Sequence, residues 1–158
     1  MKLKKQELVK KIGGVDVLFS KIKYSILYLI IVEKKSEKGN ILERYIKWGR
    51  TSNPVSRFKQ HQKHYIDYEI QYIYLSSDHG CKWIDVECAI YERHIRKQLN
   101  SAFPRYKDFM PNKIHGYTEM YMGDQITDKE IIHFVKHEIN LLKHANFPNL
   151  HEFSLIAK

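Results

Sequence analysis

Apolar stretches separated by polar breaks predict one small α+β domain. A continuous apolar run over 23–34, rich in Ile, Leu, Val and Tyr, predicts a strand buried on both faces. A polar loop with a glycine separates it from a returning strand over 41–49, and partial alternation predicts a third strand over 67–77. These segments predict a small three-stranded antiparallel sheet flanked by helices.

Helices are predicted where the apolar period changes to three or four residues. Pro54 begins a short helix that ends near His64, and a longer helix is predicted from 84 to 102. One apolar stripe on the longer helix contains Ile84, Cys88, Tyr91, Ile95, Leu99 and Ala102. The segment 117–122 can form a short strand. Thr127 and Glu130 have the capping-box spacing, which predicts a last helix ending near His144.

The order of these elements predicts a single core with short additions at both ends. A lysine-rich helix over 2–12 gives an N-terminal helical extension at 1–20. The core is predicted at 21–125, and a C-terminal helix and tail at 126–158 are expected to pack on it. The length of 158 residues fits one ordinary domain.

The charge balance changes the picture of what this domain binds. The chain has 27 Lys and Arg against 18 Asp and Glu, for a formal charge of +9. Such an excess favours polyanionic partners, although it also fits a basic protein without one. The sequence shows no signal peptide, no bilayer-spanning run and only two cysteines, Cys81 and Cys88. We therefore expect a cytoplasmic or intracellular protein with reduced thiols and no membrane partner.

The join between the second strand and the short helix that begins at Pro54 contains candidate chemistry. Gly49 ends the strand, Asn53 is a good N-cap and Pro54 suits the first helical position. Arg57 and His61 are four residues apart and share one helix face. A helix start beside a guanidinium and an imidazole favours an anion such as phosphate. The alternative is an ordinary capped helix with a solvated Arg-His face.

Together with the preceding strand, this join resembles the GIY-YIG endonuclease superfamily. Ile26-Leu27-Tyr28 stands where that family has its GIY segment, and Lys47-Trp48-Gly49 stands where it has YIG. Further family offsets from the glycine are matched by Thr51, Asn53, Arg57 and His61. The resemblance covers about Tyr24 to Leu99. The sequence departs from the family pattern at Ile26 and at Lys47. The lysine at position 47 resembles the KIG branch of the family, which is found in phage and viral proteins and some restriction enzymes.

The resemblance implies hydrolysis of a DNA phosphodiester with one divalent metal, Mg²⁺ or Mn²⁺. Tyr28 would position or deprotonate the attacking water, although a phenol is a weak acid unless cations such as Lys47 and Arg57 lower its pKa. Arg57 would neutralise charge on the phosphorus. Lys47 would tune Tyr28 or bind phosphate, and His61 would shuttle a proton or donate to phosphate.

The family also uses one glutamate on a later helix as the metal ligand. Glu87 and Glu92 are the two candidates, and each lies at one edge of the apolar stripe. Family spacing favours Glu87, because apolar residues follow it at three and four positions. Glu119 resembles a late feature of the KIG branch and is expected to be structural or secondary.

Double-stranded DNA is the partner that the resemblance implies. The contacts expected from the surplus cations come from Arg50, Lys59, Lys63, Arg93, Arg96 and Lys97. Cutting both strands requires a homodimer or two successive visits. The host cell would be the location if the protein is phage or viral. Two alternatives remain open at this point: an inactive nucleic-acid-binding module of the same fold, and an unrelated basic domain.

Overall fold

The computed structural model describes residues 24–81 and 83–145, which form an antiparallel sheet covered by helices on both faces. The strands are β1 (Tyr24–Lys35), β2 (Ile41–Thr51), β3 (Glu69–Leu75), β4 (Trp83–Ile84) and β5 (Met120–Met122). The helices are α1 (Pro54–His64), α2 (Asp85–Ala102), α3 (Tyr106–Phe109) and α4 (Asp128–His144). Short 3₁₀ turns occupy Ser76–His79, Tyr117–Glu119 and Gly123–Gln125. The α+β class and the antiparallel sheet are confirmed.

The sheet has more strands than the sequence pattern predicts. Its order is β3-β1-β2-β5, and β4 pairs with the start of β1. The prediction of three strands is therefore wrong in number. The two additions are strands of three and two residues. β5 lies within the segment 117–122, for which the sequence allows a short strand, whereas the two residues of β4 are defined only by their pairing with β1.

The two faces of β1 and β2 enter different apolar clusters because side chains alternate along a strand. On one face, Leu27, Leu29 and Trp48 pack with α2 and α4. On the other face, Tyr28 and Ile30 pack with Phe58 of α1 and with other buried residues. Residues 25–32 of β1 are all buried, which confirms the expectation of a strand buried on both faces.

Local capping fixes where two helices begin. The Asn53 side chain accepts a hydrogen bond from the Ser56 N–H at 3.1 Å, and Pro54 is the first residue of α1. Thr127 and Glu130 form a reciprocal capping box at the start of α4. Both helices match the predicted bounds, and these two starts are confirmed.

The predicted stripe on α2 is correct in its middle and wrong at its ends. Cys88, Tyr91, Ile95 and Leu99 are buried, whereas Ile84 and Ala102 are exposed. Ile84 lies in β4 before the helix, so it does not follow the helical period. Helix α4 packs its own buried face against the sheet through Ile131, Val135, Ile139 and Leu142. The predicted N-terminal extension at 1–20 and the tail after 145 lie outside the described residues.

Candidate active site

A cleft of about 550 Å³ opens where β1, β2, α1 and α2 come together. Its lining includes Tyr28, Lys47, Arg57 and His61, four of the five catalytic candidates derived from the sequence. The loop before β5 closes one side with His115, Gly116, Thr118 and Glu119. Residues distant in the sequence thus meet at one polar concavity, which is the usual form of an active site.

Gly49 provides the space in which Tyr28 lies. The two residues are cross-strand partners of β1 and β2. A Cβ atom added at Gly49 would lie 2.5 Å from Oη and 2.6 Å from Cζ of Tyr28, closer than atoms can pack. The absence of a side chain at Gly49 therefore leaves the space that the Tyr28 ring occupies beside the cleft.

His61 lies between two tyrosine hydroxyl groups and is almost fully buried, with 1% of its surface exposed. Its Nε2 atom is 3.5 Å from the Tyr28 hydroxyl, and its Nδ1 atom is 3.2 Å from the Tyr72 hydroxyl. Burial, reinforced by the nearby charges of Lys47 and Arg57, lowers the pKa of His61 to about 3. The imidazole is therefore neutral at physiological pH and carries one proton-accepting nitrogen.

The surroundings of Tyr28 shift its acidity in the direction opposite to the expected one. Burial raises the pKa of Tyr28 well above its usual range, and the lowering influence of Arg57 is smaller. Among the groups of the chain itself, desolvation of a phenolate outweighs the attraction of Arg57, so the side chains alone do not make this phenol more acidic. Tyr28 is a neutral hydroxyl group that can pass a proton on through its contact with His61.

Lys47 is a buried cation with a specific carboxylate partner. Its Nζ atom donates to Glu119 at 2.8 Å, and only 5% of the residue is exposed. Gly116 lies directly over the lysine, since an added Cβ there would come within 2.8 Å of Nζ. Gly116 also has a φ of +73°, which favours glycine. Glu119, expected to be structural or secondary, is thus part of the cleft.

Arg57 differs from the other cations of the cleft. Arg50 pairs with Asp85 at 2.6 Å, Lys47 pairs with Glu119, and Arg96 lies 3.5 Å from Glu92 and 3.7 Å from Glu119. Within residues 24–81 and 83–145, the Arg57 guanidinium makes neither an ion pair nor a hydrogen bond. A half-buried guanidinium with its donors uncommitted is suited to an incoming phosphate.

Of the two glutamates considered for metal binding, Glu92 lines the cleft and Glu87 does not. Glu92 has only 7% of its surface exposed, and burial raises the pKa of its carboxyl group. The Trp48 indole donates to the main-chain oxygen of Glu92 at 3.2 Å, which fixes this turn of α2 against β2. The choice of Glu87 therefore disagrees with the geometry, because five residues along a helix turn its side chain away from this cleft.

The cations predicted to contact DNA fall into two groups. Arg50 and Arg96 line the cleft, and both already have carboxylate partners. Lys59, Lys63, Arg93 and Lys97 are exposed on α1 and α2 and are not part of the lining. Such exposed lysines and arginines can contact a polyanion only outside the cleft.

Carboxylates in the lining are among the oxygen donors that the cleft contains. Within the described part of the chain, no group of three or more His, Cys, Asp and Glu side chains is placed to hold a metal ion together. The cleft instead offers Glu92 and, beside it, Glu119, both oxygen donors that meet at Arg96. One or two carboxylates suit Mg²⁺, which keeps most of its shell as water and substrate phosphate oxygens.

The sequence reasoning missed two groups of the site. Tyr72 contacts His61 from β3, and its position in a predicted strand gave no sign of this contact. His115 lines the cleft and stacks on His64, with ring centroids 3.7 Å apart. Burial, followed by the nearby charges of His64 and Lys47, lowers the pKa of His115. No periodic signal marks a residue in the irregular loop that carries His115.

Comparison with known proteins adds no family to this description. No family model matches the chain, no curated protein matches its sequence, and no solved structure matches its fold. None of the helices formed by the described residues combines the length and apolar character needed to cross a bilayer. The function therefore has to be inferred from the cleft itself.

Proposed function

We propose that this protein is a metal-dependent endonuclease that hydrolyses DNA phosphodiester bonds in the cleft between α1 and α2. The observation that carries the proposal is the meeting of an uncommitted Arg57, the Tyr28–His61 pair and the buried Glu92 at one concavity. These are the residue types that phosphodiester hydrolysis needs: an anion holder, a proton path and a hard-metal ligand. The GIY-YIG resemblance of the sequence supports the same reaction and a restriction-like, phage or viral role.

Arg57 is the group proposed to hold the scissile phosphate. Its guanidinium lies in the cleft without a competing carboxylate partner among the described residues, so substrate binding breaks no ion pair at this position. Two parallel hydrogen bonds to non-bridging oxygens would orient the phosphate and neutralise the charge that grows as water attacks. Thr51 and Ser52, which directly precede the N-cap of α1, border the same space, and the positive dipole end of that helix would add to the attraction for an anion.

Tyr28 and His61 are proposed to carry the proton away from the attacking water. In the tautomer whose Nδ1–H donates to Tyr72, the Nε2 atom is free to accept from the Tyr28 hydroxyl. As water gives a proton to the Tyr28 oxygen, the phenol gives its own proton to His61. This relay needs no phenolate, which burial disfavours, and it uses an imidazole that is neutral at physiological pH.

Glu92 is proposed as the metal ligand, in place of Glu87. Its carboxylate faces the cleft, and Arg96 and Glu119 lie beside it. A bound divalent ion there would supply charge stabilisation for the leaving oxygen. Lys47 donates to Glu119 and lines the cleft, and it is proposed to provide positive charge for the bound substrate there.

The direct test is incubation of the purified protein with supercoiled and linear double-stranded DNA, in Mg²⁺ and in chelator, followed by mapping of the ends. Nicked or linear product that requires Mg²⁺ is the expected result. Discrete fragments would indicate a sequence-specific enzyme, and a smear would indicate a nonspecific one. A retarded band without any cleavage in Mg²⁺ or Mn²⁺ would contradict the proposal.

The second candidate function is a nucleic-acid-binding module without catalysis. It is favoured by the state of Lys47, which stands where the resemblance implies a tyrosine and is tied to Glu119 at 2.8 Å. Burial raises the pKa of both Tyr28 and Glu92, which also favours a binding module without catalysis. The gel shift without cleavage described above is the result that would support this candidate.

A further inference from the structure

A second cavity, of about 380 Å³, lies on the other side of the sheet from Tyr28 and shares no lining residue with the cleft. One wall is formed by Tyr74 of β3 and by His79 and Cys81 of the following segment. The opposite wall is one face of α4, with His133, Lys136, His137, Asn140 and Lys143. The volume falls within the range of small-ligand sites, about 300–1,000 Å³.

The lining of this cavity favours an anion. No Asp or Glu side chain is part of the lining that the structure describes, and neither Lys136 nor Lys143 has an ion-pair partner within residues 24–81 and 83–145. The Lys143 amino group instead lies 3.0 Å from the Cys81 sulfur. Two acids adjoin lining residues along the chain without being part of the lining: Asp78 directly before His79, and Glu138 between His137 and Ile139. Two lysines at one small cavity provide the charge that a phosphate group requires.

The same cavity presents a flat aromatic surface. The His79 ring stacks on the Tyr74 ring, with centroids 5.3 Å apart and planes within 13°. Tyr74 is buried, whereas His79 is exposed. Since Tyr74 covers one side of the imidazole, the other side is open to a planar ring. Nucleic-acid bases stack on such aromatic surfaces, and this stacking stabilises binding.

The lysines lie close to this aromatic surface. The Cys81 sulfur is 3.8 Å from the His79 main-chain oxygen, so the Lys143 side chain extends from its own wall toward the wall that contains Cys81 and His79. The charge of Lys136 also acts on the His79 ring, because it contributes to lowering the pKa of that imidazole. A ligand with a planar ring and a phosphate a few bonds away would satisfy both features together.

We propose that this cavity binds a nucleotide, with its base stacked on His79 and its phosphate held by Lys136 and Lys143. The nucleotide is either free in solution or an unpaired end of a nucleic acid, since both present the same base and phosphate. The carboxamide of Asn140 is positioned in the lining to donate to or accept from the base. This proposal does not rest on nuclease activity in the cleft.

The test is titration of the full chain with adenosine 5′-monophosphate and with a short 5′-phosphorylated single-stranded oligonucleotide. Binding is measured from NMR shifts of the backbone amides, with chelator present. The expected result is binding of at least one probe, with shifts concentrated at 74–81 and 133–143. Lys136→Gln with Lys143→Gln should weaken binding at least tenfold. The matched pair Lys107→Gln with Lys129→Gln removes the same charge from exposed positions outside this lining and should leave affinity within twofold.

A second variant separates stacking from simple charge. His79→Ala should weaken nucleotide binding about fivefold to tenfold, which corresponds to the loss of one stacked base. It should leave the weaker binding of inorganic phosphate unchanged. Tighter binding of the mononucleotide indicates a free ligand, and tighter binding of the oligonucleotide indicates a nucleic-acid end; both support the site. Absence of shifts at this face with both probes, or equal affinity for inorganic phosphate and nucleotide, would overturn the proposal.

Discussion

The two faces of the β1–β2 pair are built from adjacent residues yet contain opposite kinds of chemistry. On one face, Leu29 and Trp48 are fully buried in an apolar cluster beneath α2 and α4. On the other face, Tyr28 and Lys47 are buried as well, but their polar ends meet His61 and Glu119. Burial has the same extent on both faces, so burial alone does not separate a core from a site.

The difference is in how each face contributes to the free energy of unfolding. Apolar burial on the Leu29 face stabilises the fold by about 25 cal/mol for each Å² removed from water. The Tyr28 face contains ionisable groups whose burial disfavours their charged forms, as the shifted pKa values of His61 and Glu92 indicate. Substitutions on the two faces should therefore separate stability from activity.

The largest expected effect separates the two glutamates of α2. Glu92→Gln should reduce Mg²⁺-dependent cleavage about a thousandfold, because the carboxylate that faces the cleft is lost. The matched variant Glu87→Gln should keep cleavage within about threefold. Because burial raises the pKa of Glu92, its ionised form opposes folding at neutral pH, so Glu92→Gln should leave the unfolding free energy unchanged or higher.

Cleavage rates and urea unfolding at neutral pH measure both parts of this prediction. Loss of cleavage in Glu87→Gln with cleavage retained in Glu92→Gln would restore the choice made from sequence spacing. A large loss of stability in Glu92→Gln would instead show that this carboxylate is mainly structural.

The opposite face gives the reverse result. Leu29→Ala removes a fully buried side chain between Trp48 and Tyr74, so the free energy of unfolding should fall by about 2–5 kcal/mol. Cleavage per folded molecule, measured well below the melting temperature, should stay within about twofold, because no cleft residue is changed. A loss of activity as large as that of Glu92→Gln in folded protein would break the distinction between the faces.

Gly49→Ala tests the close contact between β2 and the Tyr28 ring. The added methyl would overlap the Tyr28 ring, so the ring must move and cleavage should fall about tenfold to a hundredfold. The stability cost should be about 1–3 kcal/mol. In a Tyr28→Ala background the same change should cost much less stability, since the overlapping ring is absent. Additive costs in this double-mutant cycle would mean that Gly49 acts through something other than Tyr28.

The smallest expected effect is a pH dependence of stability caused by His61. Its pKa is lowered from 6.5 to about 3, so the unfolded chain binds a proton that the folded chain refuses. The contribution of His61 to the free energy of unfolding is fully present above about pH 6.5. It is lost as the pH falls toward 3, and about 2 kcal/mol of it is lost at pH 5. His61→Gln lacks this loss. The difference in unfolding free energy between variant and wild type, measured at about pH 7 and pH 5, should shift by that amount in favour of the variant; an unchanged difference would contradict a buried neutral His61.

Local signals explain why much of the fold could be predicted from the sequence. Asn53-Pro54 and Thr127 with Glu130 set helix starts through hydrogen bonds within one turn, and the structure has both. The apolar run of β1 needs no partner to be recognised. In contrast, the two residues of β4 form a strand only by pairing with β1 and have no period of their own, so the sequence pattern did not predict this strand.

The site was predictable where its residues share a local motif. Tyr28, Lys47, Arg57 and His61 are fixed relative to one another by one strand pair and the helix that follows. Glu92 and Glu119 were both named from the sequence, but their place in the cleft was not predictable, because it depends on how α2 and the loop before β5 pack on that motif. Glu87 and Glu92 are five residues apart on α2, so their side chains point in directions that differ by more than a quarter turn around the helix axis. Only tertiary packing decides which of them faces the cleft.

The most direct test of a phosphate-holding cleft is the cleavage rate of supercoiled plasmid by Arg57→Ala beside Lys59→Ala. Both changes remove one cation from α1, but Arg57 lines the cleft and Lys59 is exposed outside the lining. We predict that Arg57→Ala lowers the single-turnover rate in Mg²⁺ about a thousandfold without a comparable loss of stability, and that Lys59→Ala lowers it less than about threefold. Equal rates for the two variants, or cleavage by Arg57→Ala at the wild-type rate, would contradict the assignment of this cleft as the site of phosphodiester hydrolysis.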